Sequence, residues 1–403
     1  MTDVTEQLAE LRDSGLHRRL RLVSGSQGPR VLLDGHTVLL LCSNNYLGLA
    51  DHPQVCTAAA EAALRWGAGA GASRLISGSM EPHRHLEERL AAFEGYEAAL
   101  LFGSGYLANS GAIAALAGRG EVVFSDELNH ASIVDGCRLS RAETFVYRHA
   151  DVEHLAWGLG QARGRSALIV TDGVFSMDGD VAPLPALAEL SRRHGCRLMV
   201  DEAHATGALG PGGRGTVAAA GLGDEVDLVV GTLGKALGSY GAYVCASREL
   251  VDYLINAARP FVFSTAPPPP ALAAALAALE LLESGPQRVE RLRANAATLR
   301  RGLAAEGLEV GGSECQIVPV EVGDAARTME LCERLLERGV FAQGIRPPSV
   351  PAGSSRLRFT VMATHRTAEL RRAAKLAGAA ARELGIVAAR STAQRSASPA
   401  LAA

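Results

Sequence analysis

Of the 40 basic residues in this chain only Lys235 and Lys375 are lysines; the other 38 are arginines. Wherever charge alone was wanted the sequence uses Arg, so a remaining lysine is a candidate for chemistry closed to guanidinium. A perturbed amine can lose its proton near neutral pH and attack a carbonyl. Lys375 lies in an Ala/Arg-rich stretch of helical spacing and reads as a surface residue. Lys235 sits between Gly234 and Ala236, directly after an apolar run, and does not. A second cluster is Gly103-Ser104-Gly105-Tyr106-Leu107-Ala108, between a strand-like run and a helix-like one. A glycine turn at a helix N-terminus presents free N–H groups and the positive end of the helix dipole, which suits a phosphate. The spacing also fits a Gly-x-Gly-x-x-Ala dinucleotide fingerprint, with Asp126 ending the next strand about 20 residues on. A nicotinamide oxidoreductase is therefore a rival, and the motif alone is equally a tight turn.

The third cluster, Val200-Asp201-Glu202-Ala203-His204, puts a carboxylate at the end of an apolar strand. The same letters occur in nucleotide hydrolases. Those need a phosphate loop upstream of the acidic box, and around Lys235 the first glycine position is Val229, the last position is Ala236, and the order is reversed. A metal site is not expected: no His-Glu-x-x-His occurs, and one Asp/His pair does not complete a ligand set. The three clusters together fit one cofactor, pyridoxal phosphate. It has an aldehyde for a lysine Schiff base, a pyridine nitrogen wanting a carboxylate, a phenolic oxygen wanting a donor, and a phosphate. Asp201 would keep the ring nitrogen protonated, His204 would reach the phenolic oxygen, and His130 could stack on the ring. Standing alone, His130 would read as a capping or core histidine.

These groups must be held by a frame. The first 40 residues read as a helix, Thr5–Arg12, and short extended segments. From residue 98 short β-rich runs recur at Ala98–Phe102, Glu121–Ser125, Thr144–Tyr147, Ala167–Thr171, Arg197–Val200, Asp227–Gly231 and Ala242–Ala246. Stretches of helical spacing lie between them at Tyr106–Leu116, Val152–Gly160 and Leu184–His194. Such alternation predicts an α/β fold, a largely parallel sheet covered on both faces, with ligands beyond the carboxyl ends of its strands. Pro267–Pro270 stops this pattern, and an Ala/Leu-rich helix from about Ala271 leads into a smaller α+β unit. There, strands are expected at Gln316–Val322, Val340–Ala342 and Arg356–Val361, and helices at Arg327–Arg338 and Ala368–Glu383. The division is thus an N-terminal helix and arm (1–40), a large cofactor-binding domain (41–270), a linking helix with a small C-terminal domain (271–386), and a disordered Ser/Ala/Arg-rich tail (387–403).

Composition narrows the partners. With 43 acidic residues against 40 basic ones the formal charge is −3, which leaves no basic footprint for nucleic acid. Seven cysteines without a Cys-x-x-Cys pair argue against a disulfide framework and suit a reducing cytoplasm. The start carries acids where a signal peptide needs a basic and then apolar stretch. The longest apolar run, Ala271–Leu279, is too short to span a bilayer.

Over roughly residues 15–385 the chain resembles the α-oxoamine synthases, pyridoxal-phosphate enzymes of the aspartate-aminotransferase (type I) fold. The resemblance is carried by Ser43-Asn44-Asn45-Tyr46-Leu47-Gly48-Leu49, Asn129-His130-Ala131-Ser132, Gly173-Val174-Phe175-Ser176-Met177-Asp178-Gly179-Asp180, Asp201-Glu202-Ala203-His204 and Thr232-Leu233-Gly234-Lys235. Arg346-Pro347-Pro348-Ser349-Val350-Pro351-Ala352-Gly353 favours the biotin-pathway branch. That branch condenses L-alanine with a pimeloyl thioester of coenzyme A or of an acyl carrier protein. The resemblance implies a mainly parallel seven-stranded sheet and a set of roles. Lys235 is the Schiff-base lysine and acid/base, Asp201 pairs with the ring nitrogen, and His204 and Ser176 contact the phenolic oxygen side. Gly105, Tyr106 and Thr232 hold the phosphate end, and His130 stacks over the ring. Arg346, with Asn44 nearby, binds the amino-acid carboxylate, and Arg18 and Ser349 lie near the acyl substrate. Ser264 and Thr265 reach the phosphate of the neighbouring subunit, so the resemblance implies a homodimer with shared sites. Ser349 stands where the family usually has Thr, and Asn45 where Asp is common; the cluster Arg18, Arg19, Arg21 leaves the register of Arg18 open. Open alternatives are a sibling synthase using glycine or serine, such as a glycine C-acetyltransferase, an aminotransferase, and the nicotinamide oxidoreductase.

Overall fold

The computed structural model describes residues 3–388, so the tail expected to be disordered lies outside the described residues from 389 on. An N-terminal helix, Val4–Asp13, is capped by Asp3, whose side chain accepts from the Thr5 N–H at 2.9 Å. Three short strands follow: β1 (Val23–Ser24), β2 (Arg30–Leu33) and β3 (His36–Leu40). The seven runs read from the sequence become β4 (Ala98–Phe102), β5 (Val122–Asp126), β6 (Glu143–Tyr147), β7 (Ala167–Asp172), β8 (Arg197–Asp201), β9 (Leu228–Thr232) and β10 (Ala242–Ala246). They form one sheet in the order β4-β10-β9-β8-β7-β5-β6. Only β10 runs antiparallel, to β4 on one side and β9 on the other.

Apart from the edge strand β6, the sheet is buried on both faces because its strands are apolar at successive positions. Ala108, Ile113, Ile133 and Leu254, from helices Gly105–Leu116, Ala131–Ser140 and Arg248–Ala257, pack with Val123, Val170 and Val230 on one face. Leu155, Leu187 and Val217, from Val152–Gln161, Leu184–His194 and Gly215–Ala220, pack with Phe124, Ile169 and Val200 on the other. The period-2 alternation of strand side chains sorts neighbouring residues to opposite faces. The helix after the proline run starts at Pro269, where the missing N–H of proline costs nothing. It ends at Ser284, and a second helix, Gln287–Ala305, begins after Gly285 and Pro286.

The smaller C-terminal unit contains β11 (Ile317–Gly323), β12 (Val340–Phe341), β13 (Gln343–Ile345) and β14 (Ser355–Thr360), covered by helices Ala325–Glu337 and Thr367–Glu383. The single strand expected over Val340–Ala342 is therefore two. β12 adds parallel to β3, whereas β13 turns away to pair antiparallel with β14. The extended segments near the N-terminus thus complete a sheet with residues 340–341. Among the described residues no helix is long and apolar enough to cross a membrane.

Candidate active site

Three adjacent strands, β5, β7 and β8, end in Asp126, Asp172 and Asp201, and the next, β9, ends in Thr232. Asp172 and Asp201 are direct register partners, so two buried carboxylates stand side by side. Burial and the charge of Asp201 push Asp172 well above the usual carboxylate range. Asp172 accepts from the His130 N–H at 2.8 Å. Asp201 accepts from Asn109 Nδ2 at 2.6 Å and from the Ala203 N–H at 2.8 Å.

Lys235 stands three residues past the end of β9 and is partly open. Its Nζ lies 2.8 Å from His204 Nε2. Burial lowers the amine to about 8, against the opposing pull of Asp201 and Asp172, and Arg358 lowers it further. His204 is held well below its ordinary value by burial and then by the charges of Lys235, Arg358 and His130. Its Nδ1 lies 2.7 Å from Tyr46 Oη, which donates to Asn44 Oδ1 at 3.0 Å. With the phenol proton committed to Asn44, the neutral imidazole donates from Nδ1 and leaves Nε2 to accept from the lysine. His130, likewise lowered by burial and by Lys235 against the pull of Asp201, caps helix Ala131–Ser140 and faces the cleft.

The glycine turn behaves as its sequence suggests. Helix Gly105–Leu116 is capped by Ser104, which accepts from the Leu107 N–H at 3.3 Å. The Gly105 and Tyr106 N–H groups have no partner among the described residues, and a Cβ at Gly105 would point into open space. Thr232 Oγ1 donates to the Gly241 carbonyl at 3.1 Å, near the same strand ends. Asp126 is not free for a ribose hydroxyl: it accepts from His149, Leu128 N–H and Ala150 N–H. The dinucleotide reading of the turn loses its acid.

The sequence missed four contributors. Tyr46 and Asn109 sit in plain view but look like ordinary core polar residues. Asp172 looks like the end of an apolar strand. Arg358 is one of 38 arginines, yet its charge acts on Lys235, His204 and Tyr46, and its Nε donates to the Ser176 carbonyl at 2.5 Å. Arg346, expected to bind the amino-acid carboxylate, points elsewhere: its Nη2 donates to the His17 carbonyl at 2.6 Å. It follows β13 and opens the Pro347–Pro351 turn, whereas Arg358 lies within β14, on the side that faces the Ser176 loop. Arg18 is exposed beside that His17 contact. His130, Ser176 and Ser349 line one cavity of about 940 Å³, with Met177, Arg138 and Arg356. Ser264 and Thr265 lie apart: Thr265 bridges to Ser73, and no described contact joins either to the lysine.

This donor set fits pyridoxal phosphate: a weakly basic amine, a buried carboxylate facing it, a histidine over the cleft and free amides at a helix N-terminus. A family model described as "Aminotransferase class I and II" matches residues 36–376. The chain is 58% identical over 387 residues to the 8-amino-7-oxononanoate synthase of Geobacter sulfurreducens, covering 95% of this chain and 99% of that one. A serine palmitoyltransferase solved with pyridoxal phosphate as an internal aldimine superposes with a TM-score of 0.91 at 35% identity, covering 95% and 98% of the two chains. The 8-amino-7-oxononanoate synthase of Francisella tularensis does so with a TM-score of 0.75 at 28% identity, covering 86% and 98%. The chain belongs to the class I and II aminotransferase family and, within it, to the α-oxoamine synthases, which work with pyridoxal phosphate.

Proposed function

We propose that this protein condenses L-alanine with a pimeloyl thioester, releasing carbon dioxide and the thiol and giving 8-amino-7-oxononanoate for biotin synthesis. The observation that carries the reading is the Lys235 Nζ–His204 Nε2 contact of 2.8 Å beside the paired ends of β7 and β8. When bound, pyridoxal phosphate supplies an aldehyde for an amine and a ring that accepts the electron pair left when alanine loses its α-proton. The protein does the rest. Asp201 would keep the ring nitrogen protonated, and Asn109 and the Ala203 N–H fix that carboxylate in place. Gly105, Tyr106 and Thr232 would hold the phosphate, joined by Ser264 and Thr265 of the partner subunit in a cytoplasmic homodimer. His204 and Ser176 would face the phenolic oxygen side and His130 would cover the ring.

Lys235, at about 8, is partly neutral at working pH and takes the α-proton. Arg358 binds the alanine carboxylate, since a guanidinium fixes both its oxygens and its plane. Asn44 lies on the same side through Tyr46. The 940 Å³ cavity receives the thioester past Ser349. The α-carbon attacks the thioester carbonyl, the thiol leaves, the carboxylate departs as carbon dioxide, and Lys235 returns a proton. The holoenzyme is assayed with alanine, glycine and serine, each against a panel of acyl thioesters. Alanine with pimeloyl thioester should exceed every other pair at least tenfold, roughly the discrimination one methylene allows. Preference for glycine or serine would replace this reading with a sibling synthase. Borohydride reduction should attach the cofactor to Lys235; a label elsewhere overturns the assignment.

A further inference from the structure

A charged bridge centred on His149 lies outside the lining of the 940 Å³ cavity. His149 Nδ1 is 3.0 Å from Asp126 Oδ1, and its Nε2 is 2.8 Å from Asp180 Oδ2. Both ring nitrogens face carboxylates, and a neutral imidazole has only one N–H to donate. Burial would by itself lower His149, but the hydrogen bonds to Asp126 and Asp180 outweigh it and raise the ring to about 10. The edge-on ring of Phe175, 4.4 Å between centroids, closes the remaining side.

The bridge ends on two different walls. Asp126 closes β5 and also accepts from Leu128 N–H at 2.9 Å and Ala150 N–H at 2.8 Å, fixing the backbone that leads to His130. Asp180 closes the turn that carries Phe175, Ser176, Met177 and Asp178. That turn is shaped by Gly179 N–H to the Phe175 carbonyl at 2.8 Å and Phe175 N–H to the Asp180 carbonyl at 3.1 Å. From the other side, Arg358 holds the Ser176 carbonyl and Arg356 pairs with Asp178. His130, Ser176, Met177 and Asp178 all line the 940 Å³ cavity, whereas His149 does not.

We propose that His149 is a positioning residue that clamps the His130 wall to the Ser176 turn and so sets the width of the acyl-thioester cavity. The inference rests on the reading of that cavity as the thioester site. Misplacing a wall by about 1 Å can cost up to about a hundredfold in catalysis. Alanine meets the protein at Lys235 and at Arg358 of β14, neither of which bonds to His149, Asp126 or Asp180, so its binding should change less than that of the thioester.

The test compares holoenzyme, His149→Ala and Asp180→Asn; the last keeps an acceptor for the ring N–H but not its charge. In His149→Ala, amide exchange over residues 173–181 should quicken about tenfold as local opening becomes easier. The KM for pimeloyl thioester should rise about tenfold, a shift near 1.4 kcal/mol. The alanine dissociation constant, read from the cofactor's absorbance, should change less than about twofold. Asp180→Asn should fall between, and it carries the test alone if His149→Ala does not fold. Unchanged exchange and unchanged thioester KM in a folded variant overturn the clamp. So does an alanine constant that rises in step with the thioester KM. Absence of turnover with pimeloyl thioester in the unaltered enzyme would sink the proposed function instead, and the exchange measurement would still decide the clamp.

Discussion

Lys235 is useful because of what surrounds it. Burial disfavours its charge, two carboxylates restore part of it, and the balance leaves the amine at about 8. A lysine whose pKa is lowered is neutral over more of the working range, which both Schiff-base formation and proton abstraction need. Of the two carboxylates that hold the value up, Asp201 acts more strongly, so Asp201→Asn should move it down. In apoprotein, the pH dependence of Lys235 modification by an amine reagent should have its midpoint near 8 and shift to lower pH in the variant. A shift to higher pH would show that the carboxylate is not the opposing charge. Lys235→Arg should be as inactive as Lys235→Ala, because guanidinium keeps the charge and loses the chemistry. Measurable turnover in Lys235→Arg would refute the role.

At the scale of elements, β14 does more than complete a small sheet. Residues two apart on a strand share a face. Arg356 and Arg358 therefore both reach the 173–180 turn, one through Asp178 and the other through the Ser176 carbonyl. Arg346 lies beyond β13 and turns to the His17 carbonyl. Arg358→Ala should raise the KM for alanine on the order of a hundredfold, the loss expected when a charged hydrogen-bonding partner goes. Arg346→Ala should leave the alanine KM within about twofold, where surface arginines usually fall. Steady-state kinetics with alanine varied decides between them; the reverse order would return the carboxylate to Arg346. Gly179 is fixed by the same packing: with φ at +73°, a Cβ there would meet the Ile317 carbonyl at 2.7 Å.

At the scale of the whole molecule, one of the apolar clusters spans both units. Leu101 and Tyr243 of the large sheet, Leu279 and Leu299 of the two long helices, and Leu357 and Phe359 of β14 belong to a single buried cluster. The C-terminal unit should therefore unfold together with the large one, in a single calorimetric transition. Two resolved transitions would contradict the shared core. Leu299→Ala should cost about 2–5 kcal/mol, the range for a fully buried leucine. At the edge of this core, burial raises Glu94 to about 8, against its hydrogen bond with Tyr243 and with help from the charge of Glu202. An acid whose folded pKa lies above its unfolded value stabilises the fold at low pH. That contribution is lost as pH climbs from the ordinary carboxylate range through about 8. Glu94→Gln, neutral throughout, should gain in melting temperature on the unaltered protein between pH 5 and pH 9, by a few degrees. A constant difference across that range would show that Glu94 does not titrate as described.

Seven short apolar runs, their intervening helical spacing, and the glycine turn were all legible in the chain, because period and burial are local properties of a sequence. So was Lys235, since composition made it conspicuous. The helix Glu81–Glu94, EPHRHLEERLAAFE, was not legible, because charges and histidines break up its apolar face and only Leu86, Leu90 and a few others meet the core. Nor was the split of residues 340–345 between two sheets, which depends on partners far away in the chain. Residue types and their local order were enough to name the side chains able to form a Schiff base, pair with a ring nitrogen and cradle a phosphate. It took the folded chain to show which of 38 arginines acts by its charge on the lysine, that Asp172 crowds Asp201, and that His149 joins two walls. Those facts depend on register and on which strands lie side by side, and contacts between residues that are not neighbours in the chain leave no mark on the local pattern.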